Sequence, residues 1–276
     1  MNQFDEQYKN ALLNIMNNGY DEYNERTGHT CKVLPGVTLE LDFGFPLLTL
    51  RKIPLKIFIA EQLWFIQGSQ RPDEFLQKFT KIWDDFTETD GTVKAAYGHR
   101  WRHHFGRDQL KDLVEHLTKN PGSRHGVIVT WDPADDGLGS GSAKKNVPCP
   151  YTFTVNIIGN KLHVHNIIRS NDMMLGNPHD VAGFALLMCI LAAKLGVKPG
   201  KLTTSISNAH IYNIHYKQAW EIIERKNDHG PIYFEAQPDY YDRAEAGDET
   251  LVQEIFEKLN AQYHPLEAVK GMKIVL

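Results

Sequence analysis

The sequence predicts a single α+β domain that spans residues 1–276, on three observations. Its composition is that of a globular protein, with 42% hydrophobic and 23% charged residues, and its length is sufficient for one large core. Segments with helical and with strand periodicity follow one another irregularly, which is typical of mixed α+β architectures. No internal repeat, low-complexity tract or clear domain boundary divides the chain.

The first part of the chain predicts two helices and one strand. Apolar residues recur at helical spacing over residues 4–18. Apolar and polar residues alternate over residues 37–43, which indicates a half-buried strand after a polar loop. Residues 55–67 are apolar almost all round, as in a buried helix. Glu61 lies in the middle of that helix, and because a buried carboxylate is costly without a partner, it is either tied to a polar network or functional.

Later segments have shorter patterns. Residues 82–102 are aromatic-rich and irregular, so their rings either line a cleft or cover a core. The other predicted elements are a helix at 110–117, a strand at 126–131, a hairpin at 151–164, a buried helix at 181–195, a strand at 203–207 and helices at 208–226 and 249–260.

Charge and cysteine usage exclude several classes of protein. The net charge of −4 provides no basic field for nucleic acid. Three scattered cysteines suit neither a disulfide framework nor a metal knuckle, so we expect a reducing, cytoplasmic setting and no metal site. The N-terminus lacks the pattern of a signal peptide, and the most apolar run, residues 181–195, is too short to span a bilayer. We therefore expect no membrane partner.

Residues 146–180 gather the candidate chemistry. Cys149 lies between two prolines, which fix the backbone around its thiol. A nucleophilic cysteine needs thiolate character, which nearby cations such as Arg169 or Arg124 supply. The alternative is an inert buried thiol.

Three arginines lie beside small polar residues, a combination that suits phosphate. They are Arg26, Arg124 and Arg169, and each one alone is more typical of an ordinary surface arginine than of a phosphate ligand. There is no Walker loop and no GxGxxG after a strand, so a triphosphate or dinucleotide site is not supported. A zinc deaminase site also fails, because Thr152 stands where the second cysteine ligand is needed.

Nine segments, in order, resemble the thymidylate synthase superfamily across nearly the whole chain. They are NERTG, AEQLWF, IWDDF, AAYGHRW, GSRHGVIV, VPCP, RSNDMMLGNPHD, NAHIY and the apolar C-terminus. Each is weak alone, but nine in the right order are specific. The resemblance implies a three-layer α+β fold around a six-stranded mixed sheet. It also implies a homodimer in which the sheets pack together and Arg124 is donated across the interface.

The resemblance further implies one-carbon transfer from 5,10-methylenetetrahydrofolate to C5 of a pyrimidine nucleoside monophosphate. Cys149 is then the nucleophile that attacks C6, Glu61 the general acid/base, and Tyr97 the group that helps to remove the C5 proton. The implied nucleotide ligands are Arg26, Arg124, Arg169, Ser170, His210 and Tyr212, the last two at the 3′-hydroxyl of a deoxyribose; the implied folate contacts are Ile82, Trp83, Asp172, Leu175, Gly176 and Leu276.

Asp180 departs from the thymidylate-forming members of the family, which have asparagine at this position. An asparagine amide can pair with both O4 and N3–H of uracil. A carboxyl group instead accepts from the amino group of cytosine and, when protonated, can also protonate N3. Aspartate is the pattern of the deoxycytidylate-acting members, so Asp180 predicts a cytosine nucleotide. The alternative is that Asp180 caps a helix beginning at Val181, and both roles could hold.

Four further departures leave the fate of the one-carbon unit open. Pro150 follows the nucleophile, His125 replaces a second arginine of the dimer interface, Phe86 replaces a tryptophan and His179 a phenylalanine. We narrowly favour hydroxymethylation of dCMP, the commoner activity among aspartate-bearing relatives, over methylation. Further alternatives are CMP as the substrate, dUMP as the substrate of a thymidylate synthase, and a non-catalytic nucleotide- or RNA-binding relative, against which the intact catalytic set argues.

Overall fold

A mixed β-sheet of seven strands organises the fold in the computed structural model, which describes residues 1–138 and 147–275. Six strands follow one another across the sheet in the order β1-β2-β7-β5-β4-β3, and a short β6 pairs with β7. The family resemblance implied such a six-stranded mixed sheet, and the α+β class is confirmed. The strands are β1 (Tyr20–Asn24), β2 (His29–Leu41), β3 (Val127–Val129), β4 (Pro150–Ile158), β5 (Lys161–Ile168), β6 (Asn171–Asp172) and β7 (Lys198–Tyr212).

Eight helices accompany the sheet in the described part of the chain. α1 and α5 pack on the strands, α2 packs on α5, and α7 and α8 pack on α2. Short 3-10 turns, among them Asp84–Phe86, connect the elements, and α3 continues into a π-helical turn over Arg100–His104. The helices are α1 (Gln3–Asn18), α2 (Leu55–Gln67), α3 (Tyr97–His99), α4 (Gln109–Lys119), α5 (Gly176–Lys194), α6 (Tyr216–Glu224), α7 (Tyr240–Glu245) and α8 (Thr250–Asn260).

The two faces of the sheet differ in burial. Val155 of β4, Val164 of β5 and Leu202 of β7 are buried. On the edge strand β3, Val127 and Val129 are 48% and 39% exposed. Two exposed valines on one strand face are unusual for a surface that only meets water.

Helix α5 is the central element of the core, and it begins five residues earlier than its apolar run predicts. The side chain of Asp172 accepts hydrogen bonds from the backbone N–H groups of Met174 (2.8 Å) and Leu175 (3.4 Å), which fixes the entry to the helix. Pro178 is tolerated because the first turn has no intrahelical N–H bonds to lose. Asp180 therefore lies inside the helix, and the prediction that it caps a helix at Val181 is wrong.

The same helix also corrects the expectation about membrane segments. Its 19 residues, Gly176–Lys194, are long and apolar enough to cross a bilayer by length and composition, whereas the sequence suggested a run that is too short. Of this stretch, 78% is buried inside the protein, as in the core helix of a folded domain.

Strand β7 was only partly foreseen. Residues 208–212 were predicted to enter a helix, but they continue β7, with Asn208 opposite Pro35 and Tyr212 opposite Cys31 on β2. Pairing with β2 on one side and with the short β6 on the other satisfies the backbone in this segment, so tertiary pairing overrides the local pattern. The polar loop expected before β2 is the turn of the β1–β2 hairpin, in which Gly28 has a φ of 68°.

We expect the core position of α5 to dominate stability. Leu186→Ala removes a fully buried side chain and should lower the free energy of unfolding by about 2–5 kcal/mol. Leu13→Ala, the same change at a side chain of α1 that is 37% exposed, should cost less than about 1 kcal/mol. Urea unfolding at one fixed protein concentration measures both values, and equal losses would contradict the assigned core.

Candidate active site

The candidate site is a cleft with two halves that share Cys149 and Phe86. One half is a mostly apolar cavity of about 230 Å³, and the other is a polar cavity of about 790 Å³. The apolar half is lined by Glu61, Ile82, Trp83, Tyr97, Pro150, His179 and Asp180 among others; the polar half is lined by Arg26, Arg169, Ser170, His210 and Tyr212 among others.

Cys149 is held at the start of the β4–β5 hairpin by Arg169. The guanidinium group of Arg169 donates to the carbonyl oxygens of Pro148 (2.8 Å, from Nε) and Val147 (3.0 Å, from Nη2). Its Nη2 also lies 3.6 Å from Cys149 Sγ, and its backbone N–H donates to the carbonyl oxygen of Cys149 at 2.9 Å. These contacts attach one cation to the backbone that carries the thiol.

The protonation state of Cys149 differs from the expectation. Burial raises the pKa of the Cys149 thiol, and the positive charges of Arg169 and Arg26 offset this only in part. The negative charge of Asp180 raises the pKa further. Arg124 contributes nothing here, because it is exposed before β3 and lines neither half of the cleft. The cysteine is therefore a thiol at neutral pH when the cleft is free.

Glu61 projects from the middle of α2 and belongs both to a polar contact and to the cavity. Trp83 Nε1 donates a hydrogen bond to Glu61 Oε1 at 2.6 Å. Burial raises the pKa of Glu61 to about 7, with the hydrogen bond from Trp83 lowering it and the charge of Asp180 raising it. A carboxyl group with such a pKa can both take and give a proton at neutral pH.

Asp180 is the second buried carboxyl group of the apolar half. Burial raises its pKa to about 7, a hydrogen bond from Asn171 opposes this, and the charge of Asp172 adds to it. Asn171 Nδ2 lies 2.7 Å from Asp180 Oδ2. Two acidic groups that titrate near neutrality thus share a cavity with the candidate nucleophile, an arrangement typical of proton-transfer sites.

Tyr97 places its hydroxyl beside the backbone of the nucleophile. The backbone N–H of Cys149 donates to the Tyr97 hydroxyl oxygen at 3.3 Å. Burial raises the pKa of Tyr97 well above its ordinary value, and the charges of Cys149 and Asp180 act in the same direction. The ring packs edge-on against Phe65, with centroids 5.1 Å apart, so the hydroxyl is rigidly placed and keeps its proton.

The polar half combines two cations with hydroxyl and imidazole groups. Arg26 is exposed in the turn between β1 and β2, and Arg169 and Ser170 follow β5. His210 and Tyr212 lie at the end of β7, with ring centroids 5.1 Å apart. Burial lowers the pKa of His210, so its ring is neutral and can both donate and accept. This half is suited to a phosphate next to a sugar hydroxyl.

The residues implied as folate contacts divide into two groups. Ile82 and Trp83 line the apolar half. Asp172 ends β6, Leu175 precedes α5 and Gly176 begins it; all three line neither cavity, although a Cβ on Gly176 would lie 3.6 Å from Asp180 Oδ2. For all five residues, folate contact stays a prediction. Leu276 lies outside the described residues, and its neighbour Val275 lines the polar half.

The four departures from the family pattern lie in two different places. Phe86, Pro150 and His179 line the apolar half. Burial lowers the pKa of His179 to about 4, so its imidazole is neutral, and its Nδ1 has no hydrogen-bond partner among residues 1–138 and 147–275. His125 is exposed and stacks on His116, with ring centroids 6.3 Å apart, away from the cleft of its own chain.

One set of possible metal ligands occurs outside the cleft. His104, Asp132 and Asp135 each bring one ligand atom to within 4.8 Å of the others. The guanidinium group of Arg100 already provides a positive charge there, with Nη1 3.6 Å from Asp132 Oδ2. Asn171 lines neither half of the cleft but donates a hydrogen bond to Asp180, and sequence reasoning missed it; the signal for it was its place between Ser170 and Asp172 in the RSND segment.

The chain belongs to the thymidylate synthase family: the family model described as thymidylate synthase matches residues 6–252. It is thus a member of a class of one-carbon transferases that act on pyrimidine nucleotides with methylenetetrahydrofolate as cosubstrate. The family assignment made from the nine sequence segments is confirmed.

The buried carboxyl groups should make stability depend on pH. A carboxyl whose pKa is about 7 in the folded protein and about 4 in the unfolded chain keeps its proton only in the folded state between these values, so stability falls as pH rises through this window. Asp180→Asn should remove this loss. From pH 5 to pH 8 the free energy of unfolding of the parent should therefore fall by about 2–3 kcal/mol more than that of the variant. Urea unfolding at both pH values measures it.

Asp228→Asn is the matched control, because Asp228 is exposed on the surface away from the cleft. It should leave the difference between pH 5 and pH 8 unchanged. An Asp180→Asn variant that follows the parent in parallel at both pH values would show that Asp180 is ionised in the fold without penalty.

Proposed function

We propose that the protein transfers a one-carbon unit from 5,10-methylenetetrahydrofolate to C5 of deoxycytidine monophosphate and releases 5-hydroxymethyl-dCMP. The observation that carries the proposal is Asp180, a buried carboxyl group in the same cavity as Cys149 whose pKa is raised to about 7. Such a group is partly protonated at neutral pH, which is the state that a cytosine ring needs opposite N3.

Protonation at N3 makes cytosine reactive towards the thiol. As Cys149 Sγ bonds to C6, the electron pair of the C5–C6 double bond moves towards C4, and the electron pair of the C4–N3 double bond moves onto N3. Asp180 gives its proton to N3 in this step and becomes a carboxylate that accepts from the C4 amino group. The thiol proton passes to the ionised form of Glu61 as the bond forms, since a carboxyl group with a pKa of about 7 is partly ionised at neutral pH.

The substrate class follows from the polar half. Arg26 and Arg169 provide two guanidinium groups and Ser170 a hydroxyl, which together match one phosphate. His210 and Tyr212 are suited to a sugar 3′-hydroxyl, which supports a deoxynucleoside monophosphate. Arg124, exposed beside the edge strand with its two exposed valines, is proposed to complete the phosphate site of a second copy.

The apolar half supports the folate and determines the fate of the one-carbon unit. When bound, 5,10-methylenetetrahydrofolate supplies that unit, and Ile82 and Trp83 offer the flat apolar wall that a pterin ring needs. After the C5 proton has been removed and tetrahydrofolate has left, water adds to the exocyclic methylene group on C5, and the bond between Cys149 Sγ and C6 breaks to release the hydroxymethyl product. The neutral imidazole of His179 lines this cavity and can form a hydrogen bond to a water molecule, which a phenylalanine there could not. This favours the addition of water. Methylation of dCMP is the second candidate function. The largely apolar lining of the cavity favours it, because such a lining excludes water.

A product assay tests the proposal directly. The protein with 5,10-methylenetetrahydrofolate and dCMP, CMP or dUMP should convert dCMP most efficiently, and mass spectrometry should find 5-hydroxymethyl-dCMP. Cys149→Ala should form no product, because the bond to C6 requires the sulfur. Formation of 5-methyl-dCMP alone would establish methylation instead, and turnover of dUMP alone would contradict the choice of cytosine.

Asp180→Asn should exchange one base preference for the other. The amide cannot protonate N3 of cytosine, so kcat/KM for dCMP should fall about 100-fold or more, while kcat/KM for dUMP should rise. Asp228→Asn, on the surface, serves as the control for both substrates. An unchanged ratio of the two kcat/KM values would remove Asp180 from base recognition.

A further inference from the structure

We propose that two buried amides, Asn171 and Asn177, act in series to fix which oxygen of Asp180 carries its proton and faces the base. They are positioning residues for the base reader, and neither lines the cleft. The inference rests on the proposed function for its effect on cytosine, but the proton position itself is a property of the free protein.

The three side chains form one directional chain of hydrogen bonds. Asn177 Nδ2 donates to Asn171 Oδ1 at 2.7 Å, and Asn171 Nδ2 donates to Asp180 Oδ2 at 2.7 Å. Asn171 is 3% exposed and Asn177 is fully buried, so water does not compete for these bonds. Buried hydrogen bonds of this kind favour one orientation of the side chains, while Asn177 Oδ1 itself has no hydrogen-bond partner among the described residues.

The chemistry of a carboxylate fixes the direction of this chain. An ionised Asp180 can only accept, so Asn171 must present its amide nitrogen to it, and the Asn171 oxygen then points to Asn177. If the Asn171 amide rotated by half a turn, its oxygen would meet Asp180 Oδ2 and its nitrogen would meet Asn177 Nδ2. With Asn177 in its present orientation both new contacts would be repulsive, so this orientation of Asn177 favours Asn171 as a donor to Asp180.

The hydrogen bond from Asn171 makes the two oxygens of Asp180 different. Oδ2 is engaged by Asn171, whereas Oδ1 has no hydrogen-bond partner within the described ranges. A proton on Oδ2 would compete with the amide hydrogen of Asn171 for the same space. The proton therefore resides on Oδ1, the oxygen left for the base.

The backbone makes this arrangement independent of the ligand. Asn171 belongs to β6 and is held opposite Ala209 of β7, whereas Asn177 and Asp180 lie three residues apart on α5 and share one face of that helix. A Cβ on Gly176 would lie 3.5 Å from Asn171 Nδ2, so the first turn of α5 covers the hydrogen bond between Asn171 and Asp180.

Four titratable groups act electrostatically with Asp180 in this region. They are Glu61 of α2, Tyr97 of α3, Cys149 before β4 and Asp172 of β6. Arg169 lies within 3.6 Å of Cys149 Sγ. Asn171 is the hydrogen-bond donor that lowers the pKa of Asp180 against burial and against the charge of Asp172. Loss of this donor should therefore raise the pKa.

The first test replaces Asn171 with leucine, which has the same branching pattern but no amide. Attack on cytosine requires protonated Asp180, so the alkaline limb of the pH profile of kcat/KM for dCMP should move upward by about one pH unit. Asn166→Leu is the matched control, because Asn166 is an equally buried amide, on β5, without a hydrogen-bond partner among the described residues. It should leave the alkaline limb in place.

A second variant reverses the chain of hydrogen bonds without changing its shape. In Asn177→Asp the new carboxylate can only accept, so Asn171 should turn its nitrogen to it and its oxygen to Asp180. Asp180 must then stay protonated to donate, and its alkaline limb should move up further than in Asn171→Leu. A merely structural role would lower kcat/KM equally at all pH values in both variants, and that result would overturn the inference.

Carbon-13 NMR of the Asp180 side-chain carboxyl in the ligand-free protein separates the two proposals. An upward shift of its titration in Asn171→Leu and Asn177→Asp supports the positioning role, even if dCMP is not turned over, in which case only the proposed function fails. Turnover of dCMP with an unmoved Asp180 titration in both variants would overturn the positioning role and leave the proposed function standing.

Discussion

Four side chains that ionise to negative charges share one largely apolar cavity, and the penalty for placing these charges there governs its chemistry. Glu61, Tyr97, Cys149 and Asp180 all have raised pKa values, and in each case burial is the largest cause. None of them can ionise without affecting the next, because the charge of Asp180 raises the pKa of the other three. A cavity in which Tyr97 and Cys149 keep their protons at pH 7 while Glu61 and Asp180 are partly protonated is suited to moving protons onto and off a bound base.

The fold assembles this cavity from distant parts of the chain. Glu61 comes from α2 and Asp180 from α5, two helices that pack against each other, while Cys149 comes from the start of the β4–β5 hairpin. Arg169 connects the halves of the cleft, since one guanidinium group contacts the backbone beside Cys149 and also lines the polar cavity. The reacting groups thus sit on rigid elements, with the exposed Arg26 on a hairpin turn.

Much of the scaffold was predictable because its patterns are local. Residues 55–67 were predicted as a buried helix, and α2 has those bounds. The helices near residues 4–18 and 249–260 and the hairpin after Cys149 are likewise confirmed. The predictions failed at residues 208–212, which pair with β2 and β6, and at the start of α5, where the side chain of Asp172 organises the turn. The first error concerns pairing between strands that are far apart in sequence. The second concerns a helix start that is fixed by a side chain outside the helix.

The sequence by itself determined the family and the identities of the candidate nucleophile, acid and base reader, because these depend on residue types in a fixed order. Tertiary structure alone decided their protonation states. A pKa depends on how much water and which charges surround a group, and Cys149 shows the consequence: the nearby arginine was foreseen, but burial outweighs it. The bond from Asn171 to Asp180 belongs to the same category, since it exists only when β6 and the first turns of α5 are packed together.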